Sequence, residues 1–227
     1  MNNKIVHSDL PVLLVGGGAL DNGVLEAALS RAGLVVAADG GAAKALAAGR
    51  MPDAVYGDMD SLSPELQARL APGVLRPVAE QDSTDFDKCL RHIEAPLVLG
   101  YGFLGARLDH QLAAMTVLAR RPDRRCVLVG AEDVVCVCPA ELELDLPVGE
   151  RLSLWPMAEV TGRSEGLRWP IDGIVFRPDG VTGTSNAVSG PVRLRMDAPG
   201  MLLILPVERL EALVSALDHA PRWPARA

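Results

Sequence analysis

The chain has 227 residues, of which 49% are hydrophobic, 22% charged and 4% aromatic, a composition typical of a globular protein with its own core. Its net charge is −7 and its basic residues form no long run, which disfavours nucleic acid as a partner. No apolar run approaches the roughly 18 residues of a membrane helix, so we exclude a membrane span. Four cysteines without a C-x-x-C pair predict reduced, packed thiols and a cytoplasmic location.

Up to Gly130, apolar runs of strand length alternate with segments of helical period. The predicted strands are Val12–Val15, Leu34–Ala38, Ala54–Tyr56, Val74–Leu75, Leu97–Leu99 and Cys126–Val129. We interpret the first of these as a buried strand and not as part of a signal peptide. Ser63-Pro64-Glu65 is a helix-start signal, and an apolar stripe predicts a further helix over residues 107–121. The alternation predicts an α/β domain with a mainly parallel sheet over residues 1–130.

After Gly130 the pattern changes to short strands between glycine and proline turns. Ten of the 17 prolines lie in these last 97 residues. The predicted strands are Val134–Val137, Leu142–Leu144, Leu152–Leu154, Gly183–Val188, Val192–Met196 and Met201–Leu205. An antiparallel sandwich or barrel fits this rhythm, and an apolar stripe predicts a last helix over Val207–Leu217. We expect an all-β sandwich domain over residues 131–227 with a C-terminal helix.

Carboxylates and glycines follow the strands of the first domain. Gly16–Gly18 follow the first strand, Asp39 the second, and Asp58 and Asp60 the third. The segment Asp82–Asp85 follows the fourth strand, and Gly100–Gly105 with Arg107 and Asp109 follows the fifth. Because ligands of open α/β sheets bind outside the carboxyl ends of the strands, we expect these loops to meet at one edge.

This set of residue types favours phosphate chemistry with a divalent cation. Asp58 and Asp60 are two residues apart, so in an extended segment they offer two oxygen ligands on one side. Ser83 or Thr84 would cap a helix, and Arg107 offers a fork of donors for phosphate. Several carboxylates at one edge repel each other unless Mg²⁺ and a basic group neutralise them. Solvated loop aspartates, a turn role for Asp39 and a packing role for His110 remain alternatives at this point.

An ordered set of motifs resembles the thiamine pyrophosphokinase family. The motifs are AADGGA (37–42), PDAVYGDMDS (52–61), QDSTDFDKCL (81–90), GARLDH (105–110), GLRWP (166–170) and GTSNA (183–187). They follow the family's order and approximate spacing from about Leu13 to Leu205. The resemblance implies transfer of a pyrophosphoryl group from Mg-ATP to the hydroxyl of thiamine, giving thiamine diphosphate and AMP. It also implies an α/β domain, a β-sandwich domain and a homodimer with clefts between subunits.

The resemblance implies a role for individual residues. Asp58, Asp60 and Asp85 would hold Mg²⁺ and organise the ATP phosphates. The residues expected to bind ATP or its phosphates are Asp39, Gln81, Thr84, Lys88 and Arg107. The expected catalytic residues are Asp58, Asp60, Asp85, Arg107 and Asp109, with Asp85 or Asp109 accepting the proton of the thiamine hydroxyl. Trp169, Ser185 and Asn186 would contact thiamine.

Two features depart from the family's pattern, and other functions fit part of the sequence. Trp155 precedes a proline where we expect an aliphatic residue, and the predicted last helix extends beyond the family's final strand.

A pyrophosphokinase for a pterin alcohol would share the Gly57–Ser61 segment. A Mg²⁺-dependent nucleotide-sugar glycosyltransferase would use an Asp-x-Asp metal site, and a non-catalytic vitamin sensor would need fewer carboxylates.

Overall fold

The apolar runs of the first part of the chain form a parallel sheet. The computed structural model describes residues 5–80, 82–105 and 107–225, and these residues divide into two units. The first unit contains the described residues up to Val117 together with Leu128–Ala131. The second unit contains Leu118–Val127 and the described residues from Glu132 onwards.

The first unit has an α/β fold. Its strands are β1 (Val6–His7), β2 (Val12–Val15), β3 (Leu34–Ala38), β4 (Ala54–Gly57), β5 (Leu75–Pro77), β6 (Ile93–Glu94) and β7 (Val98–Tyr101). Its helices are α1 (Asn22–Arg31), α2 (Gly41–Ala47), α3 (Pro64–Arg69), α4 (Asp85–Arg91) and the larger part of α5 (Leu108–Arg120). Strands pair in parallel in the order β7-β2-β3-β4-β5, and β1 pairs with β6 separately. The predicted α/β class with a mainly parallel sheet is therefore confirmed for this unit.

Helix starts in the first unit follow the capping residues in the sequence. The Asp21 carboxylate accepts from the backbone N–H of Val24 at the start of α1. Ser63 caps α3 with Pro64 at the first helical position, and the Thr84 hydroxyl caps α4. Such side-chain caps satisfy N–H groups that have no partner inside the helix. The predicted start at Ser63 is thus confirmed, and of the two predicted caps, Ser83 and Thr84, it is Thr84 that caps α4.

The second unit is built from antiparallel strands. They are β9 (Asp133–Val137), β10 (Glu141–Leu144), β11 (Arg151–Pro156), β12 (Gly162–Leu167), β13 (Gly183–Met196) and β14 (Met201–Pro206). They pair in the order β10-β13-β11-β14-β9, with β12 also on β13, and the boundary between the units falls within β8 (Cys126–Val129). A 3-10 turn (Val207–Arg209) leads into α6 (Leu210–His219), close to the helix predicted over Val207–Leu217. The four cysteines are buried and unpaired.

One prediction for the second unit was wrong, and one strand was missed. Gly190-Pro191 suggested a turn between two strands, but β13 continues through it. The segment before Gly190 pairs with β11 and the segment after Pro191 pairs with β10, so the missing N–H of proline falls between the two. Strand β12 was missed because Arg163 and Glu165 are polar and exposed. Within the part of the chain that the structure describes, no helix has the length and apolar character needed to cross a bilayer.

Candidate active site

A cavity of about 520 Å³ lies at the carboxyl edge of the parallel sheet. Its walls are the loops that follow β2, β3, β4 and β7, together with the starts of α4 and α5. Among its lining residues are Gly17, Asp39, Asp58, Thr84, Asp85, Lys88, Phe103, Arg107 and His110. The structure therefore brings most of the predicted phosphate and metal residues of the first unit to one cavity. Gln81 lies outside the described residues.

Three carboxylates form an acidic cluster at this cavity. One oxygen from each of Asp39, Asp58 and Asp60 lies within 4.8 Å of the others. Asp39 directly follows β3 with a φ of +38°, and it is only 3% exposed. Its Oδ2 accepts from the Ser61 backbone N–H at 3.2 Å, whereas its Oδ1 has no hydrogen-bond partner. A buried carboxylate oxygen without a partner is costly, and a bound cation would remove that cost.

The electrostatics of Asp39 agree with this geometry. Burial raises the pKa of the Asp39 carboxyl, and the negative charge of Asp85 adds to the increase. The hydrogen bond from Ser61 opposes the increase without cancelling it. Burial and the neighbouring negative charge therefore outweigh the hydrogen bond from Ser61, and such an environment favours a bound cation.

The segment after β4 turns so that two acids meet Asp39. Met59 has a φ of +69°, so the segment is a turn and not the extended stretch on which the spacing argument relied. The turn is held by the Asp60 N–H, which donates to Asp58 Oδ1, and by the Ser61 hydroxyl, which donates to Asp60 Oδ1. Gly57 allows the close approach, because a Cβ there would lie 2.8 Å from the Asp39 Cβ. The carboxylates meet as expected, but by a different local geometry.

Lys88 places a fixed positive charge beside the acids. Its side chain is 2% exposed, and its Nζ donates to Asp85 Oδ1 at 3.1 Å. The same Nζ lies 4.0 Å from Asp58 Oδ2. Helix α4 produces this arrangement because Asp85 and Lys88 are three residues apart on one face. Asp85 thus lies beside the acidic cluster, with one carboxylate oxygen already hydrogen-bonded to the Lys88 ammonium.

Arg107 and Asp109 form an exposed pair at the start of α5. Two guanidinium nitrogens of Arg107 donate to the two carboxylate oxygens of Asp109, at 3.2 and 2.6 Å. The hydrogen bonds from Arg107 lower the pKa of Asp109, which makes its carboxylate a weaker base. Both side chains are about two-thirds exposed, so each can exchange this partner for a ligand.

The predicted thiamine residues lie in the second unit. Asn186 is buried, and its side chain accepts from the Trp169 N–H and donates to the Trp169 carbonyl. The Trp169 ring is 53% exposed, and the Arg168 guanidinium lies 4.8 Å from its centroid. Ser185 has a φ of +58°, and its N–H donates to the Ser153 hydroxyl. Asn186 therefore fixes the backbone that carries the exposed indole.

Two residues of the site were not predicted from the sequence. Ser61 holds both Asp39 and Asp60, and it was available as the last residue of the PDAVYGDMDS motif. Phe103 lines the cavity and packs against Phe86 with ring centroids 4.6 Å apart. No spacing rule in the sequence indicated Phe103, because its position follows from the loop after β7.

The residues present fit a hard divalent cation. Magnesium binds oxygen ligands, and Asp39, Asp58 and Asp60 offer carboxylate oxygens together with one buried oxygen that has no partner. Lys88 and Arg107 add cations at the same cavity, which suits a ligand with several phosphates.

Comparisons with known proteins agree on one family. A family model described as "Thiamin pyrophosphokinase, catalytic domain" matches residues 25–129. Thiamine pyrophosphokinase 1 of Arabidopsis thaliana is 28% identical over 190 residues, which cover 75% of this chain and 70% of that protein. Thiamine pyrophosphokinase 1 of Oryza sativa subsp. japonica is 30% identical over 167 residues, which cover 65% of this chain and 63% of that protein.

A solved structure shares the fold. The thiamin pyrophosphokinase from Candida albicans superposes with a TM-score of 0.73 at 14% identity, over 89% of this chain and 93% of that chain. Because the identity is only 14%, the superposition shows a shared fold and nothing more. The family model and the two plant relatives show similarity in sequence as well. Residues 25–129 are thus similar to the catalytic domain of the thiamine pyrophosphokinase family, and three quarters of the chain is similar to a plant thiamine pyrophosphokinase.

Proposed function

We propose that this protein is a thiamine pyrophosphokinase, which transfers a pyrophosphoryl group from ATP to the hydroxyl of thiamine and releases thiamine diphosphate and AMP. The observation that carries the proposal is the acidic cluster of Asp39, Asp58 and Asp60, with its unpartnered buried oxygen, beside the buried Lys88. Phosphoryl-type transfer needs this combination of metal-competent carboxylates and fixed cations. Similarity to the thiamine pyrophosphokinases supports thiamine as the acceptor.

Magnesium is the cofactor that fits the site. We assign Asp58 and Asp60 as its ligands, with Asp39 and Asp85 beside them. When bound, the ion neutralises charge on the phosphate oxygens and polarises the phosphorus under attack. The unpartnered Oδ1 of Asp39 and the raised pKa caused by its burial support this assignment.

The chain's own residues would position the reactants more than react with them. Lys88, Thr84 and Arg107 line the cavity and bind phosphate oxygens of ATP, with Gln81 as a further contact expected from its motif. The thiamine oxygen attacks the β-phosphorus in line, the bond from that phosphorus to the oxygen of the departing AMP breaks, and the hydroxyl proton passes to Asp85 or Asp109. In-line alignment and charge neutralisation supply most of the acceleration in such a mechanism.

The second unit would bind thiamine. The exposed indole of Trp169 offers a π-face to the cationic ring system, and Arg168 at 4.8 Å already occupies part of its surroundings. Ser185 is exposed and precedes Asn186 in sequence, and Asn186 holds the Trp169 backbone. We propose residues 1–130 as the ATP- and Mg²⁺-binding catalytic domain and residues 131–227 as a β-sandwich domain for thiamine binding and dimerisation. The four buried, unpaired thiols support a cytoplasmic location.

The first experiment measures AMP formation from Mg-ATP with and without thiamine. A double variant, Asp58→Asn with Asp60→Asn, is assayed beside the native protein, and circular dichroism checks its folding. Thiamine-dependent AMP that disappears in the folded variant supports both the reaction and the site. Native protein that binds thiamine and forms no AMP contradicts the proposal.

The same assay separates the other functions that the sequence allowed. The family model and the relatives do not support a pterin-alcohol pyrophosphokinase or a glycosyltransferase. AMP formed with 6-hydroxymethylpterin and not with thiamine would favour the pterin alcohol. Release of a nucleoside diphosphate from a nucleotide sugar would favour the glycosyltransferase, and thiamine binding without turnover would favour a sensor.

A further inference from the structure

The cavity of the first unit has two chemically different ends. Strand order β7-β2-β3-β4 determines which loop lies next to which at the carboxyl edge of the sheet. Phe103 follows β7 and Gly17 follows β2, whereas Asp39 and Asp58 follow β3 and β4. Neighbouring strands are about 4.8 Å apart, so the aromatic end lies roughly 10–15 Å from the acidic end. Phe103 and Gly17 form an apolar end, Asp39 and Asp58 form an acidic end, and Arg107 and His110, which follow Phe103 in the chain, also line the cavity.

Phe103 is held firmly at the apolar end. Its ring packs against the backbone of Gly16, where an added Cβ would lie 2.7 Å from Phe103 Cε1. It also packs against the buried ring of Phe86, with centroids 4.6 Å apart and planes at 42°. The side chain is nevertheless partly exposed, and it lines the cavity. Phe103 therefore presents a fixed aromatic surface that its packing leaves uncovered.

Gly16, Gly17 and Gly18 lie near Phe103, and the structure requires glycine at the first and third of these positions but not at Gly17. The Gly18 N–H donates to the Gly102 carbonyl at 2.9 Å, and a Cβ at Gly16 or Gly18 would lie 2.7 or 2.5 Å from that carbonyl oxygen. Close packing of two backbones explains these two positions. Gly17 is exposed to the cavity, and a Cβ there would have its nearest neighbour at 3.8 Å, on Gly40. A Cβ at Gly17 would therefore meet no clash and make only ordinary van der Waals contacts with the protein.

We propose that Phe103 is a nucleotide-binding residue that contacts the nucleobase of ATP, and that Gly17 leaves room for the nucleoside between the base and the phosphates. The inference rests on the proposed function, which places the phosphates at the acidic end. Because the base is joined covalently to those phosphates, it must extend from them, and the cavity continues to Phe103. A nucleobase has a π-face that an aromatic ring contacts favourably, whichever base it is.

The test compares two ligands that share phosphates and differ in the nucleoside. Calorimetry measures the dissociation constants of Mg-ATP and of Mg-tripolyphosphate for the native protein, for Phe103→Leu and for Gly17→Ala. Leucine keeps apolar packing on Gly16 and Phe86 but removes the π-face. We expect Phe103→Leu to weaken Mg-ATP about tenfold and to leave Mg-tripolyphosphate within about twofold, as base–aromatic contacts do when truncated. Gly17→Ala, which meets no clash in the protein, should also weaken Mg-ATP selectively.

The outcomes separate this inference from the proposed reaction. Equal weakening of both ligands by Phe103→Leu would mean that the residue acts through the loop, and would overturn the inference. Unchanged binding of both ligands, or native protein that does not bind Mg-ATP, would overturn it as well. Selective loss of Mg-ATP supports it even where the native protein forms no AMP from thiamine, because neither binding experiment contains thiamine.

Discussion

Two buried polar side chains, one in each unit, differ in their hydrogen bonding. In the first unit, Asp39 is buried with one carboxylate oxygen that has no partner, and Asp85 raises its pKa further. In the second unit, Asn186 is buried with its amide bound to the N–H and the carbonyl of Trp169. A buried group that the fold leaves unsatisfied is available to a ligand, whereas a satisfied group serves the fold. The difference predicts which substitutions affect chemistry and which affect stability.

The largest expected effect is on chemistry in the first unit. Asp60→Asn should lower kcat by about 10²-fold or more, because it removes a charged metal ligand and keeps the shape of the side chain. Asp60 is exposed, so the thermal midpoint should change little. Steady-state AMP formation with saturating Mg-ATP and thiamine measures the effect, and Glu26→Gln on the exposed face of α1 is the control. A folded variant that loses less than about tenfold would remove Asp60 from the metal site.

A large effect on stability is expected in the second unit. Asn186→Ala leaves the Trp169 backbone groups without their partner, which costs about 2 kcal/mol. For a protein of this size the thermal midpoint should fall by roughly 4–8 °C. Thermal unfolding monitored by circular dichroism gives the change. Ser185→Gly is the matched control, because glycine adopts the φ of +58° without strain and should not destabilise. Equal losses in the two variants would contradict this account of Asn186.

A moderate effect is expected at the exposed indole. Trp169→Ala should raise the KM for thiamine about tenfold and leave the KM for ATP unchanged, because stacking with a cationic ring contributes about 1–2 kcal/mol. The side chain is 53% exposed, so stability should hardly change. Trp155→Ala is the control, since Trp155 is another partly exposed tryptophan of the same unit. A change in the KM for ATP in place of thiamine would assign Trp169 to the nucleotide.

The sequence predicted the acidic edge better than it predicted the second unit. Parallel strands end at the same edge, so the positions of Asp39 and Asp58 follow from the strand order alone. The turn at Met59 and the role of Ser61 depend on a local φ and on contacts between loops, which spacing does not encode. In the second unit, Gly190-Pro191 has a turn signature inside a strand, because the change of pairing partner there is a tertiary property.

The smallest expected effect concerns Asp39, and its sign is opposite to that of most substitutions in buried sites. Burial raises the pKa of Asp39 above its unfolded value, so the folded chain binds this proton more tightly than the unfolded chain. Stability is therefore lost as pH rises from about 4 through the folded pKa, and the cost is fully present at pH 7. Asp39→Asn removes that cost, since the amide carries no charge and its oxygen still accepts from the Ser61 N–H.

At pH 7 and without added metal, Asp39→Asn should raise the stability by about 1 kcal/mol, or the thermal midpoint by roughly 2–4 °C, while lowering activity. The gain in stability should shrink as the pH falls through the folded pKa of Asp39 towards 4, because the native carboxyl then becomes protonated. Differential scanning calorimetry of both proteins from pH 4 to 7 follows it. A variant that is less stable than the native protein at pH 7 would mean that the Asp39 carboxylate is a satisfied group, and the contrast between the two units would fail at its central residue.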